Sequence, residues 1–257
     1  MKKLIIILTA VLCGYQYAGA WGRTGHDAIA YIAERNLTPK AKKTIEKYLD
    51  NHSIVYYASW MDQYRKTPGY EKTSTWHSGS VDADLRNTDE VRSPKGDAVA
   101  ELENAIARLK NYRELDDSTV NVNLKYIIHL VGDMHCPSHV KYTGKDVKKI
   151  KRVILNGKKV SYHSVWDSGA LAGNHAWGYT EYGHQLDRLS KKEQKAITAG
   201  TPKDWFEETA RDCKGIYEMT EEGGEIGKDF INQSRHLVDS QVTKAGYRLA
   251  KVLNDLF

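Results

Sequence analysis

The stretch His129-Leu130-Val131-Gly132-Asp133-Met134-His135-Cys136-Pro137-Ser138-His139 follows directly on Tyr126-Ile127-Ile128, and its reading organises the rest of the chain. Tyr126, Ile127, Ile128, Leu130 and Val131 are apolar on almost every side, which predicts a helix in the interior, from Val120 to His135. Residues four apart on that helix project from one face, about 40° apart around the axis, so His129 and Asp133 point the same way. A buried carboxylate without a partner is costly enough to take up a proton or find a cation. A metal ion shared with His129 is one solution. Pro137 ends the helix, and His139 follows it.

The first twenty residues stand apart. Lys2 and Lys3 form a positive start, Leu4 to Cys13 a short apolar core, and Ala18-Gly19-Ala20 a small-x-small cleavage site, so residues 1–20 read as a secretory signal peptide. Leu12 stands before Cys13 where a bacterial lipobox wants a small residue, and the apolar run is short for a bilayer span, so no stable membrane anchor is expected. Cleavage after Ala20 makes Trp21 the mature N-terminus, with a free α-amino group. No Pro/Gly/Ser-rich linker divides residues 21–257, which read as one domain. Without Lys2 and Lys3 there are 36 basic against 33 acidic residues, a formal charge of +3, too mild to announce nucleic-acid binding. Cys136 and Cys213 are the remaining cysteines; they make no disulfide framework, although the two could form one bridge. Cys136 reads as a packing residue ahead of a soft metal ligand.

Ile29, Ile32 and Ala33 suit a buried helix from Asp27 to Leu37, and Thr38-Pro39 gives an N-cap and first-turn proline for a second helix to Leu49. Further helices are predicted over Ile54 to Tyr64, Asp97 to Leu115, Ser164 to Ala172, Tyr179 to Leu189, Lys191 to Ala199, Pro202 to Met219 and Gly227 to Phe257. Between Val147 and Tyr162 the period changes. Ile150, Val153 and Leu155, then Asn156-Gly157, then Val160 and Tyr162 predict a two-stranded hairpin. Tyr70 to Lys95 is polar and aperiodic and reads as a long ordered loop around Trp76-His77. The expected fold is mainly α, a single multi-helix domain with a small β-hairpin.

His163 and Asp167 repeat the spacing of His129 and Asp133. One such pair is most simply a solvated ion pair. Two pairs, joined by His26, Asp62, His77 and His139 as further candidates, point to metal. Imidazoles and carboxylates without a thiolate cluster fit Zn²⁺ ahead of Mn²⁺ or Ni²⁺.

Trp21-Gly22-x-x-Gly25-His26, Ala58-Ser59-Trp60-x-Asp62-x-x-Arg65, Trp76-His77, His129-x-x-x-Asp133-x-x-x-Pro137-x-His139 and His163-Ser164-x-Trp166-Asp167 together resemble the S1/P1 nuclease family of secreted zinc-dependent phosphodiesterases. The resemblance runs in order from residue 21 to about residue 167. It implies a phospholipase C/P1 nuclease-like fold with three zinc ions per chain. Asp62, His77, His129 and Asp133 would hold one ion, and His139, His163 and Asp167 a second. The third would be held by His26, by Asp133 as a bridge, and by the α-amino nitrogen and carbonyl oxygen of Trp21. Because a peptide nitrogen cannot replace a free amine on zinc, signal cleavage would be required for full activity. The implied activity is hydrolysis of single-stranded DNA or RNA to 5′-nucleotides by a metal-activated hydroxide, with 3′-nucleotides as further substrates. Asp62, Asp133 and Arg65 would be the catalytic residues, Arg65 contacting phosphate or orienting Asp62. A monomer exported to the periplasm or the medium, with no protein partner, is expected.

The departures concern base reading. Family nucleases carry an aromatic residue directly after the loop histidine, to stack a nucleobase, and an acid two residues later. Here His77 is followed by Ser78, Gly79 and Ser80, with Asp82 the nearest acid. Val140 to Lys148 lacks the family's Gly-Gly-Asn and carries Lys141, Lys145 and Lys148 instead. A zinc phospholipase C is the competing enzyme reading, and a zinc-binding protein without turnover a second; Asp167 favours the nucleases, since those lipases have glutamate there. Tyr56, Tyr57, Trp177 and Tyr179 could replace the missing aromatic, with core packing the favoured role. His52, His135, His175, His184 and His236 read as surface or hydrogen-bonded residues.

Overall fold

A buried helix carries the His129–Asp133 pair, and several of the other helices pack against it. The computed structural model describes residues 21–144 and 148–257. The expected signal peptide, with its cleavage site and Cys13, and Lys145 lie outside those residues. In chain order the helices are α1 (Gly22–Arg35), α2 (Pro39–Tyr48), α3 (Trp60–Tyr64), α4 (Ala98–Leu109), α5 (Asp117–Asp133), α6 (Tyr162–Ser164), α7 (Ala170–Asn174), α8 (Tyr179–Leu186), α9 (Lys191–Ile197), α10 (Pro202–Cys213) and α11 (Lys228–Leu256). The fold is mainly α, with small sheets.

Several boundaries follow from capping chemistry. Thr38 accepts from the Ala41 amide with Pro39 in the first turn of α2, and Thr201 and Asp204 close a capping box on α10. Helix α5 begins three residues ahead of Val120 because Asp116 accepts from the Thr119 amide. Helix α1 begins at Gly22, five residues ahead of the expected start. Polar Arg23-Thr24-Gly25 hid that turn from periodicity, and Gly25 is needed in it, since a Cβ there would meet the Trp21 Cβ at 2.8 Å. Ile54 to Tyr64 divides into a 3₁₀ turn, Ile54–Tyr57, and α3, while Val165–Gly169 forms a π-helical turn between α6 and α7. The helices expected to Leu115 and Met219 end earlier, each followed by a 3₁₀ turn.

Among the described residues there are five short strands: β1 (Gly79–Val81), β2 (Val140–Tyr142), β3 (Arg152–Leu155), β4 (Lys158–Ser161) and β5 (Glu225–Ile226). The hairpin joins β3 to β4 through Asn156 and Gly157, both at positive φ as such a turn demands. It gains a third strand, β5, which pairs parallel to β3. The Tyr70–Lys95 loop is more structured than its polarity suggests, with a 3₁₀ turn at Glu71–Thr75 and β1 pairing parallel to β2, Gly79 opposite Val140. That ladder brings the segment after His77 against the segment after His139.

Helix α5 packs against α1, α2, α3, α4 and α11. Ile127, Ile128, Leu130 and Val131 on it are buried, with His129 and Asp133 at 0% exposure among them. A rigid apolar surround therefore carries two polar groups. Among the described residues no helix is long and apolar enough to cross a membrane.

Candidate metal centre

Asp133, the last residue of α5, is the point where the separate motifs converge. Its Oδ2 lies 2.9 Å from His77 Nδ1 and 3.2 Å from His129 Nε2. Its Oδ1 lies 3.4 Å from His26 Nε2 and 3.6 Å from His139 Nδ1. One carboxylate thus faces four imidazoles, two on each oxygen. Asp62 closes the Oδ2 side, with Oδ1 3.6 Å from His77 Nδ1 and 3.9 Å from His129 Nε2. On the far side of His139, Nε2 lies 3.5 Å from Asp167 Oδ1, and Asp167 Oδ2 lies 3.1 Å from His163 Nε2. The rings of His139 and His163 stack at 4.8 Å.

Each side chain is delivered by an identifiable local device. His26 comes from α1, Asp62 from the short helix α3, His77 from the loop before β1, and His139 from the 3₁₀ turn that Pro137 opens. His163 and Asp167 are held on one face through the α6 and π-helical turns. His129 donates from Nδ1 to the Ala58 carbonyl at 2.8 Å, which leaves Nε2 to face Asp133 and Asp62. Asp167 Oδ1 accepts from Ser138 Oγ at 3.1 Å and from the Cys136 thiol at 3.4 Å. Sequence reading did not find Ala58 or Ser138 as orienting groups; the only available signal was that each adjoins a motif residue or lies inside a motif.

The protonation pattern reflects this crowding. Burial opposes charge on His129, but Asp133 and then Asp62 outweigh it and push the imidazole up to about 9. Burial likewise opposes the Asp133 carboxylate, yet His129 and His77 hold it well below the usual range. Asp167, against its own burial, is drawn down to about 2 by His139 and His163. His26 is held down by burial and by its neighbour His129.

These residues fit a metal cluster better than they fit one another. Both ring nitrogens of His26 and of His139 are buried without a hydrogen-bond partner among the described residues, as are His77 Nε2, Asp62 Oδ1, Asp133 Oδ1 and Asp167 Oδ2. Buried polar atoms left unpaired cost about 1–3 kcal/mol each, so a concentration of them at one place calls for an external partner. His26, His129 and Asp133, then Asp62, His77 and His129, and third Cys136, His139 and Asp167 each bring ligand-type atoms within 4.8 Å of one another. The all-N/O character of the first two groups suits a divalent ion of borderline hardness.

All the expected side-chain ligands are thereby brought together. Trp21 is fully buried at the start of α1, its carbonyl accepting from the Gly25 amide at 3.0 Å and its backbone N–H directed at the Cys136 thiol. Arg65 Nη1 lies 3.8 Å from Asp62 Oδ1. Cys136 and Cys213 are both free and buried, so the bridge left open by the sequence is not formed. Tyr56 and Tyr179 are 66% and 37% exposed, which corrects the expectation of core packing for those two. Tyr57 is buried, and Trp177 stacks on His175 at 3.6 Å. His135 is buried and doubly hydrogen-bonded, to the Val131 carbonyl and to Arg248.

Residues 21–257 match the S1/P1 nuclease family. Endonuclease 1 of Arabidopsis thaliana is 24% identical over 293 residues, covering 99% of this chain and 93% of that protein. Nuclease PA3 of a Penicillium species and nuclease P1 of Penicillium citrinum are each 25% identical over 273 residues, covering 92% of this chain and 97% of their own length.

Proposed function

The chain belongs to the S1/P1 nuclease family, and from that membership and the cluster around Asp133 we propose that it is a zinc-dependent nuclease hydrolysing single-stranded DNA or RNA to 5′-nucleotides, with 3′-nucleotides as further substrates. The observation that carries the reading is the Asp133 carboxylate facing His26, His77, His129 and His139 at 2.9–3.6 Å amid unpartnered ligand atoms. Asp62, His77, His129 and Asp133 would hold one zinc, His139, His163 and Asp167 a second, and Trp21, His26 and Asp133 a third. Bound zinc supplies a water of lowered pKa, towards about 7, and positive charge for the phosphoryl oxygens.

The protein side chains do the positioning. Asp133 presents one oxygen to the Asp62–His77–His129 group and the other to His26, which suits a bridge between the first and third ions. Ala58 fixes the His129 tautomer, and Ser138 turns Asp167 so that Oδ2 is left for a ligand role. Arg65, beside Asp62, either holds that carboxylate or reaches a phosphate oxygen, and its guanidinium suits both. Cleavage breaks the P–O3′ bond as water oxygen joins phosphorus, and the proton passes to the departing O3′. Residues 1–20 act as a signal peptide for export, and 21–257 form one monomeric domain; the family match beginning at residue 21 supports that division.

Parallel incubation of the mature protein with single-stranded DNA, a 3′-mononucleotide and a phosphatidylcholine analogue tests the reading. Release of 5′-nucleotides from DNA is expected. Hydrolysis of the lipid alone would replace a nuclease with a phospholipase.

A further inference from the structure

One buried cysteine stands at the edge of the cluster, outside the proposed ligand set. Cys136 and Cys213 are both fully buried and free, and such thiols ordinarily pack as small hydrophobes. Their surroundings differ. Cys213 belongs to none of the groups of ligand-type side chains formed by the described residues, whereas the Cys136 sulfur lies within 4.8 Å of ligand atoms of both His139 and Asp167. It donates to Asp167 Oδ1 at 3.4 Å, lies 3.5 Å from Ser138 Oγ, and has the backbone N–H of Trp21 directed at it. Each of these neighbours is a proposed ligand or orients one.

Unpaired ligand atoms converge on the same corner. Both ring nitrogens of His139 and Asp167 Oδ2 are buried without a hydrogen-bond partner among the described residues. His139 Nε2 lies 3.5 Å from Asp167 Oδ1, the same oxygen that the thiol faces. Of the three residues assigned to the second ion, His163 has a side chain 47% exposed, which leaves two buried donors as anchors. The Cys136 sulfur is a third. Charge favours it as well. The first group contains two carboxylates, Asp62 and Asp133, whereas the second contains Asp167 alone. A divalent ion would leave a net positive charge beside His139 and Asp167, which are 2% and 1% exposed. A thiolate makes the negative charge equal to that of the ion, and zinc accepts thiolate alongside imidazole and carboxylate.

We infer that Cys136 is a further protein ligand of the second ion, in one set with His139, His163 and Asp167. The inference rests on the metal-centre part of the nuclease reading and holds whatever the substrate. As sulfur binds the ion, the thiol proton leaves to solvent, and Ser138 keeps the hydrogen bond to Asp167 Oδ1. The competing role for Cys136 is to orient Asp167 as a hydrogen-bond donor, without touching metal.

Loading the mature protein with cobalt(II) separates the two roles, because a thiolate on cobalt adds a sulfur-to-metal charge-transfer absorption in the near ultraviolet that imidazole and carboxylate ligands do not give. Wild-type protein and Cys213→Ser should both show that band, and Cys136→Ser should lack it. The serine keeps a hydroxyl able to donate to Asp167, so a purely orienting role survives the substitution. Chelator competition should show the Kd for one cobalt per chain raised about a hundredfold or more in Cys136→Ser, the upper end of what loss of an orienting partner costs. Should Cys136→Ser fail to fold, the band in Cys213→Ser assigns the thiolate by itself, since Cys136 is then the sole cysteine of residues 21–257. Cobalt d–d absorption without the charge-transfer band, or an unaltered Kd in Cys136→Ser, would overturn the Cys136 ligand and leave the metal centre standing. Protein that takes up no cobalt would overturn both.

Discussion

Asp133 Oδ1 and His26 Nε2 lie 3.4 Å apart, both buried, and neither atom has a hydrogen-bond partner among the described residues. The other oxygen of the same carboxylate is turned to His77 and His129. Asp133→Asn keeps the size of the side chain and removes its charge, so it should leave the fold in place while dismantling the proposed bridge. Loss of several kcal/mol of charge stabilisation corresponds to a fall in turnover of about a thousandfold or more. Elemental analysis should show fewer zinc ions per chain than in the wild-type protein. Wild-type turnover in this variant would refute the central role given to Asp133.

Protons and metal compete for the same atoms, and the direction of that competition is set by His129. Its imidazole is raised from 6.5 to about 9, against burial, by Asp133 and Asp62. A group raised in the folded state contributes stability that is fully present below its unfolded pKa and is lost as pH rises through the folded value. Protein stripped of metal by a chelator should therefore lose on the order of 3 kcal/mol from this group between pH 6.5 and 9. Denaturant titrations of the stripped protein across that window measure it, and stability that rises with pH there would contradict the assignment. Adding zinc at pH 7.5 should release protons, because the ligand form of His129 is neutral.

What the sequence disclosed, and what it withheld, divides along physical lines. The His129–Asp133 helix was legible because apolar residues on every side announce burial, and two ligand types four apart must share a face. The hairpin was legible because Asn156-Gly157 is one of few dipeptides at ease with two positive φ angles. The β1–β2 ladder was not, since three-residue strands have no period to detect and their pairing joins segments about 60 residues apart. Ser138 was missed for a related reason: a serine after proline has many ordinary roles, and only the folded chain sets its hydroxyl 3.1 Å from Asp167. The exposure of Tyr56 and Tyr179 depends on how α1, the 53–64 segment and α8 dock, which no local pattern encodes.

The N-terminus offers a prediction about processing. Trp21 is fully buried, and its backbone nitrogen is directed at Cys136, whose thiol in turn donates to Asp167. An α-amino group at this place would be a metal ligand, whereas a peptide nitrogen would not. Protein beginning at Trp21 should carry one more zinc per chain than protein that retains Ala20 before it, and turnover should differ in the same order. Equal zinc content in the two forms, determined by mass spectrometry under non-denaturing conditions, would remove Trp21 from the ligand set.

Gly132 supplies a test that touches no ligand directly. It stands between Val131 and Asp133 in α5, where a Cβ would meet His26 Nδ1 at 2.7 Å and Cε1 at 2.9 Å. Real side chains do not approach so closely, so Gly132→Ala must displace the His26 ring or part α1 from α5. The ring is stacked on His129 at 4.1 Å and completely buried, and Asp133 is held from its other side by His77 and His129, so neither can follow a displaced His26. Overpacking of this kind costs about 1–3 kcal/mol. The greater effect should fall on metal: the ion assigned to His26 should be lost at chelator concentrations that leave the Asp62–His77–His129 group loaded. Step-wise chelator titration, read by zinc released per chain, separates the two positions. Release of all zinc in one unchanged step would show that His26 holds no ion of its own.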